Sequence, residues 1–134
     1  MRSIIVTYLT VVAVLAVADF FWLGLIAFDF YRKEIGTLML ERPRLEVAAL
    51  FYALCAAGIT ILAVQPALNA GEWTKALLSG AVFGLCAYGT YDLTNLATLK
   101  GWSLRLVAVD MAWGTFLTAL AALAGFAVGR LSWA

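Results

Sequence analysis

Tyr88-Gly89-Thr90-Tyr91-Asp92-Leu93-Thr94-Asn95-Leu96-Ala97-Thr98-Leu99-Lys100-Gly101-Trp102 decides the reading of this chain. The stretch begins inside a long apolar run and ends at a basic, aromatic boundary. Its polar groups must therefore lie within a membrane or a very large core, and a chain of 134 residues cannot build such a core. Residues three, four and seven apart line up along a helix, which puts Tyr88, Tyr91, Asp92, Asn95 and either Thr98 or Leu99 on one face. That face is a polar stripe with an acid at its centre.

Composition extends the argument to the whole chain. Hydrophobic residues make up 65% and charged residues 13%, against roughly 45–50% and about 25% in soluble domains. The fold class this implies is all-α, an integral membrane four-helix bundle in a lipid bilayer, forming a single transmembrane domain over residues 1–134. A net charge of +1 leaves no cluster of Lys and Arg for nucleic acid. Cys55 and Cys86 both sit in apolar runs, where a free Cys behaves as a small hydrophobe. With no His and only these two Cys, the usual zinc ligand sets cannot be assembled in one chain.

Outward from the stretch, the spans follow from length, since a helix needs roughly 20 residues to cross the hydrocarbon core. The first is expected at about 4–28, with Asp19 as its only charge. Its start imitates a secretory signal, Arg2 preceding an apolar stretch that ends in Ala16-Val17-Ala18. The run continues through Phe20 to Ile26, however, which reads as one full span. Residues 29–44 change composition abruptly, crowding Arg32, Lys33, Glu34, Glu41, Arg42 and Arg44 around Pro43. Tyr31, Ile35, Leu38 and Met39 recur at helical spacing there, which fits a short amphipathic helix on the membrane surface as well as it fits a solvated loop. The second span is expected at about 45–65, followed by a turn through Pro66, Asn69 and Gly71, with Trp73 as an interfacial anchor. The third runs over about 76–99 and carries Gly80 and Gly84 at the spacing that lets helices approach closely. The fourth covers about 104–128, with Ala121, Gly125 and Gly129 on a second small-residue edge.

Arg32, Lys33, Arg42, Arg44, Lys100 and Arg105 fall on one side of the expected membrane, and Arg2, Lys75 and Arg130 on the other. The positive-inside bias puts the first group in the cytoplasm and both termini outside. Asp19 then lies nine residues before the end of the first span, Asp92 seven before the end of the third, and Asp110 six after the start of the fourth. At ~1.5 Å per residue all three are roughly 9–14 Å from the same membrane face. Asp19 and Asp110 also share a neighbour: each is followed one turn later by a tryptophan, Trp22 and Trp113, a faint sign of internal duplication.

One charged Asp at mid-bilayer costs roughly 2.5–3.5 kcal/mol on an insertion scale, and such residues face the bundle interior or a water-filled cavity. No Lys, Arg or His lies within the spans to pair with these three. If they converge, mutual repulsion and lost hydration favour holding a proton or a cation. Asn95, one turn from Asp92, offers an amide donor and acceptor to the same site. Tyr88 and Tyr91 can relay a proton or hold a carboxyl group, and Trp22 and Trp113 either line a cavity or simply pack. The candidate binding residues are thus Asp19, Asp92, Asp110, Asn95, Tyr88, Tyr91, Trp22 and Trp113, with no catalytic residue and no cofactor implied beyond a bound cation of unknown identity.

The segments Asp19-Phe20-Phe21-Trp22-Leu23-Gly24, Phe30-Tyr31-Arg32, Glu41-Arg42-Pro43, Tyr91 to Trp102 and Asp110-Met111-Ala112-Trp113-Gly114 resemble those of a bacterial family of predicted membrane proteins, domain-of-unknown-function family 2177. The resemblance covers nearly the whole chain. Ser103 stands where the pattern has Pro after the Trp. The resemblance implies a four-helix protein of the bacterial inner membrane and carries no established activity. Three functions stay open. The first is a small transporter or permeation component with an acid layer that binds a proton or cation, working as a homodimer. The second is a structural or assembly subunit in which the acids hold helices together. The third is a lipid-modifying membrane enzyme using the carboxylates as an acid/base pair or as ligands of a hard cation such as Mg²⁺, Mn²⁺ or Ca²⁺.

Overall fold

The computed structural model describes residues 2–133, and no strand occurs among them. Helix α1 (Arg2–Phe21) runs into a π turn (Trp22–Ile26) closed by the Ala27 amide donating to the Trp22 carbonyl at 2.7 Å. A short amphipathic helix α2 (Phe28–Ile35) and a 3₁₀ turn (Gly36–Leu38) follow. The second long helix is continuous from Leu45 to Ala70: α3 (Leu45–Ile59), a π turn (Thr60–Val64) and α4 (Gln65–Ala70). Helices α5 (Trp73–Thr98) and α6 (Leu104–Trp133) complete the chain.

The all-α membrane bundle expected from composition is the fold observed. Ile4–Ile26, Leu45–Ala70 and Leu104–Ser132 are long and apolar enough to cross a membrane. Helix α5, at 26 residues, matches them in length, but its polar stripe keeps it below their apolarity. The turn expected at Pro66 is not there. Pro66 has no N–H for the carbonyl four residues back, and the π turn just ahead of it widens the helix at that point, so the chain passes through to Ala70. The stop comes at Gly71, whose φ of 70° is the left-handed conformation that closes a helix.

Lipid gives apolar surfaces little reason to associate, so the bundle is held by close approach of small residues. Helix α6 is the central element, packed antiparallel along α5 and α1. A Cβ at Gly80 would lie 2.7 Å from the Ala122 methyl, and one at Gly84 would overlap the Thr118 hydroxyl and the Gly114 carbonyl. The Tyr88 ring occupies the space above Gly114 in the same way. The Gly80/Gly84 edge is therefore filled by α6 of the same chain. The second small-residue edge is also used internally, with Gly125 against Val11 and Val64, and Gly129 against Thr7 and Leu68. Val11, Leu15, Ala56, Ile59, Ala63, Val64, Leu117 and Ala121 make the buried apolar centre.

Candidate functional site

At the end of the bundle nearest α2, the three acids are buried together on α1, α5 and α6. Asp19 is accounted for completely. Its Oδ2 accepts a hydrogen bond from the Tyr52 hydroxyl on α3 at 2.7 Å, and its Oδ1 accepts one from the Trp113 indole on α6 at 2.7 Å. Asp110 accepts one bond at Oδ1, 2.6 Å from the Tyr31 hydroxyl on α2. The same Tyr31 oxygen accepts from the Trp22 indole at 3.2 Å. Trp22 and Trp113 stack face to face, centroids 4.5 Å apart and planes within 10°.

These contacts give the two Asp-x-x-Trp segments a physical meaning. The antiparallel helices α1 and α6 cross where their tryptophans stack, and each indole reaches toward the acid of the other helix. Trp113 bonds Asp19 directly; Trp22 reaches Asp110 through Tyr31. Stacked aromatic faces with satisfied N–H groups are a stable way to bury indoles.

Asp92 has none of this. It is fully buried, and no donor among the described residues reaches either of its oxygens. Its acid neighbour is Asp110, and a proton between the two carboxyls would let one bond the other. The one ion pair among the described residues, Arg105 Nε to Glu34 Oε1 at 3.7 Å, lies at the surface and touches none of the three acids. Nor does any group of three acidic or Cys side chains among the described residues have the arrangement that would hold a metal ion.

Helix α2 covers this end. Tyr31, buried on its inner face, packs with Ala27 and Leu106 beneath Trp22, Phe30, Ile35 and Trp102. Burial, reinforced by the bond to Asp110, pushes the Tyr31 phenol well above its ordinary value, so it remains a neutral donor. A short amphipathic helix is thus present at the start of residues 29–44, and it delivers a side chain into the acid layer.

Of the eight candidate residues, Asp19, Asp92, Asp110, Trp22 and Trp113 come together. Tyr88 joins them by its ring on Gly114. Tyr91 does not: it is 52% exposed and packs edge-on against Trp102 at 5.8 Å. Asn95 is half-buried, and no side-chain bond joins it to Asp92 among the described residues. Helical spacing groups Tyr91 with Asp92 too generously, because adjacent residues sit about 100° apart around a helix and only one of them faces α6. Tyr31 and Tyr52 are the donors that sequence reasoning missed. The available signal was that each is a phenol in or beside an apolar span, where a polar tip needs a partner.

A family model described as "predicted membrane protein (DUF2177)" matches residues 4–127 of this chain. No curated protein and no solved structure matches it.

Proposed function

The chain belongs to this family of predicted membrane proteins, and from that premise we propose that it is a small transporter or permeation component whose working site is a proton held between Asp92 and Asp110. The observation that carries the reading is the donor-free Asp92 carboxyl, fully buried against Asp110. A buried carboxyl without a donor or a cation is most easily satisfied by carrying its own proton and donating it to a neighbour. Asp110 is that neighbour, and Tyr31 supplies it with a second bond on the side facing α2. A proton fits this site better than a hard divalent cation, which takes about six oxygen ligands.

Six basic residues on α2, after it and around the α5–α6 turn support an orientation with the Asp92–Asp110 end toward the cytoplasm of a bacterial inner membrane and both termini periplasmic. In this reading α5 also crosses the membrane, bringing the spans to four, with its polar face turned inward to α6. Helices this closely packed leave no channel of their own, so a conducting pathway requires a second copy of the chain. Since both glycine edges are filled internally, the dimer uses another face.

A second reading has one observation in its favour. Asp19, bonded to Tyr52 and Trp113, ties three helices together as a purely structural acid would. Thermal unfolding of detergent-purified protein across pH and a panel of monovalent and divalent cations, wild type against Asp92→Asn, separates the two. Stabilisation by pH or ion that vanishes in the variant supports a binding site, and proton flux in liposomes should then be lost with it. Identical profiles for the two proteins would leave the acids as structural members only.

A further inference from the structure

A cavity of about 480 Å³ opens between α2 and the segment that follows it, lined by Phe28, Arg32, Gly36, Thr37, Met39, Leu40 and Glu41. Its size falls within the range of ligand pockets. The walls are built by the local backbone. Gly36 has φ 68° and ψ −135°, a conformation that a side chain would strain, and it turns the chain back so that residues 37–41 face α2. The Met39 amide donating to the Gly36 carbonyl at 3.1 Å holds that turn.

The lining carries one charge of each sign. Arg32 and Glu41 border the same concavity, yet they form no ion pair with each other or with any described residue. The Arg32 guanidinium lies over the Phe28 ring at 5.9 Å, which fixes its position and leaves its N–H edge free. Two opposite charges that share a pocket without pairing define a slot for a zwitterion. Guanidinium suits a phosphate, a carboxylate suits an ammonium group, and Thr37 adds a hydroxyl to the same lining. Phe28, Met39 and Leu40 offer apolar contact to the carbons beyond the phosphate. The pocket lies on the amphipathic segment that follows the end of the first span at Ile26, the level of a bilayer's head groups.

We propose that this cavity binds the head group of an aminophospholipid, with the phosphate on Arg32 and the primary ammonium on Glu41. The assignment is independent of any role of the buried acids, none of which lines this cavity. It makes a signed prediction about lipid chemistry. A primary ammonium donates hydrogen bonds to Glu41, whereas the quaternary ammonium of phosphatidylcholine cannot. Phosphatidylglycerol has no cation for Glu41 and meets its repulsion.

The experiment is a titration of delipidated, detergent-purified protein with short-chain phosphatidylethanolamine, phosphatidylcholine and phosphatidylglycerol, read by native mass spectrometry and by thermal shift. Wild type should bind phosphatidylethanolamine about three- to fivefold more tightly than phosphatidylcholine, the scale of an exposed charge pair. Glu41→Gln should erase that preference, weakening phosphatidylethanolamine more than phosphatidylcholine, and Arg32→Gln should weaken all three lipids. Both side chains are exposed, so neither variant endangers the fold. Equal binding of the two zwitterionic lipids, strongest binding of phosphatidylglycerol, or a preference that survives Glu41→Gln would each overturn the assignment.

Discussion

Asp19 and Asp92 are two buried carboxyls in one acid layer, 5% and 0% exposed, and they are treated in opposite ways. Asp19 receives a phenol and an indole, one on each oxygen; Asp92 receives nothing. An acceptor with both oxygens matched locks together the helices that supply its donors. A carboxyl facing only another carboxyl needs a proton to be at rest, and that proton can be given up. In the proposed reading the layer separates holding the bundle together from binding, and Asp110, with one donor and one acid neighbour, lies between the two extremes.

The largest effect on stability should come from Asp19→Ala. It strands the Tyr52 hydroxyl and the Trp113 indole in the apolar interior, at a cost of about 2–3 kcal/mol in a reversible unfolding assay in detergent. A loss as small as that of Asp92→Asn would dissolve the contrast. Tyr31→Phe comes next, with about 1 kcal/mol lost as Asp110 gives up its donor. This variant also sharpens the role of α2 through pH. The Tyr31 phenol is raised in the folded protein, so its contribution is fully present below its unfolded value near 10 and falls as pH rises past it. Wild type and Tyr31→Phe should therefore converge in stability at strongly alkaline pH, and a constant gap would contradict the buried bond.

Asp92→Asn should change stability by only about 0.5 kcal/mol in either direction, because the amide supplies the donor that the carboxyl's proton supplied before. Its effect belongs to ion or pH response. Smallest of all is Asn95→Ala, which removes no side-chain bond seen in the structure and should leave unfolding within about 0.3 kcal/mol of wild type. A large cost there would restore Asn95 to the site.

Much of this layer was legible in the sequence, because depth in a membrane is a matter of counting. Asp19, Asp92 and Asp110 sit at matched distances from the span ends, and helices long enough to span bring matched depths together. The repeated Asp-x-x-Trp also pointed to a relation between α1 and α6. What could not be read was rotation about each helix axis and the partner across the gap. Tyr91 and Asn95 neighbour Asp92 in sequence, yet α5 turns Tyr91 outward to Trp102. Tyr31 and Tyr52 lie far from the acids in sequence, 79 and 33 residues from the groups they bond. Pro66 misled for a local reason, since a π turn one step earlier removes the break that proline ordinarily makes.

The separation of roles is tested most directly by infrared difference spectroscopy of the protonated-carboxyl C=O stretch at neutral pH, in wild type, Asp92→Asn and Asp19→Asn. The account predicts a protonated-carboxyl band in wild type that is lost in Asp92→Asn and retained in Asp19→Asn. Absence of the band in wild type, or its loss only in Asp19→Asn, would contradict it.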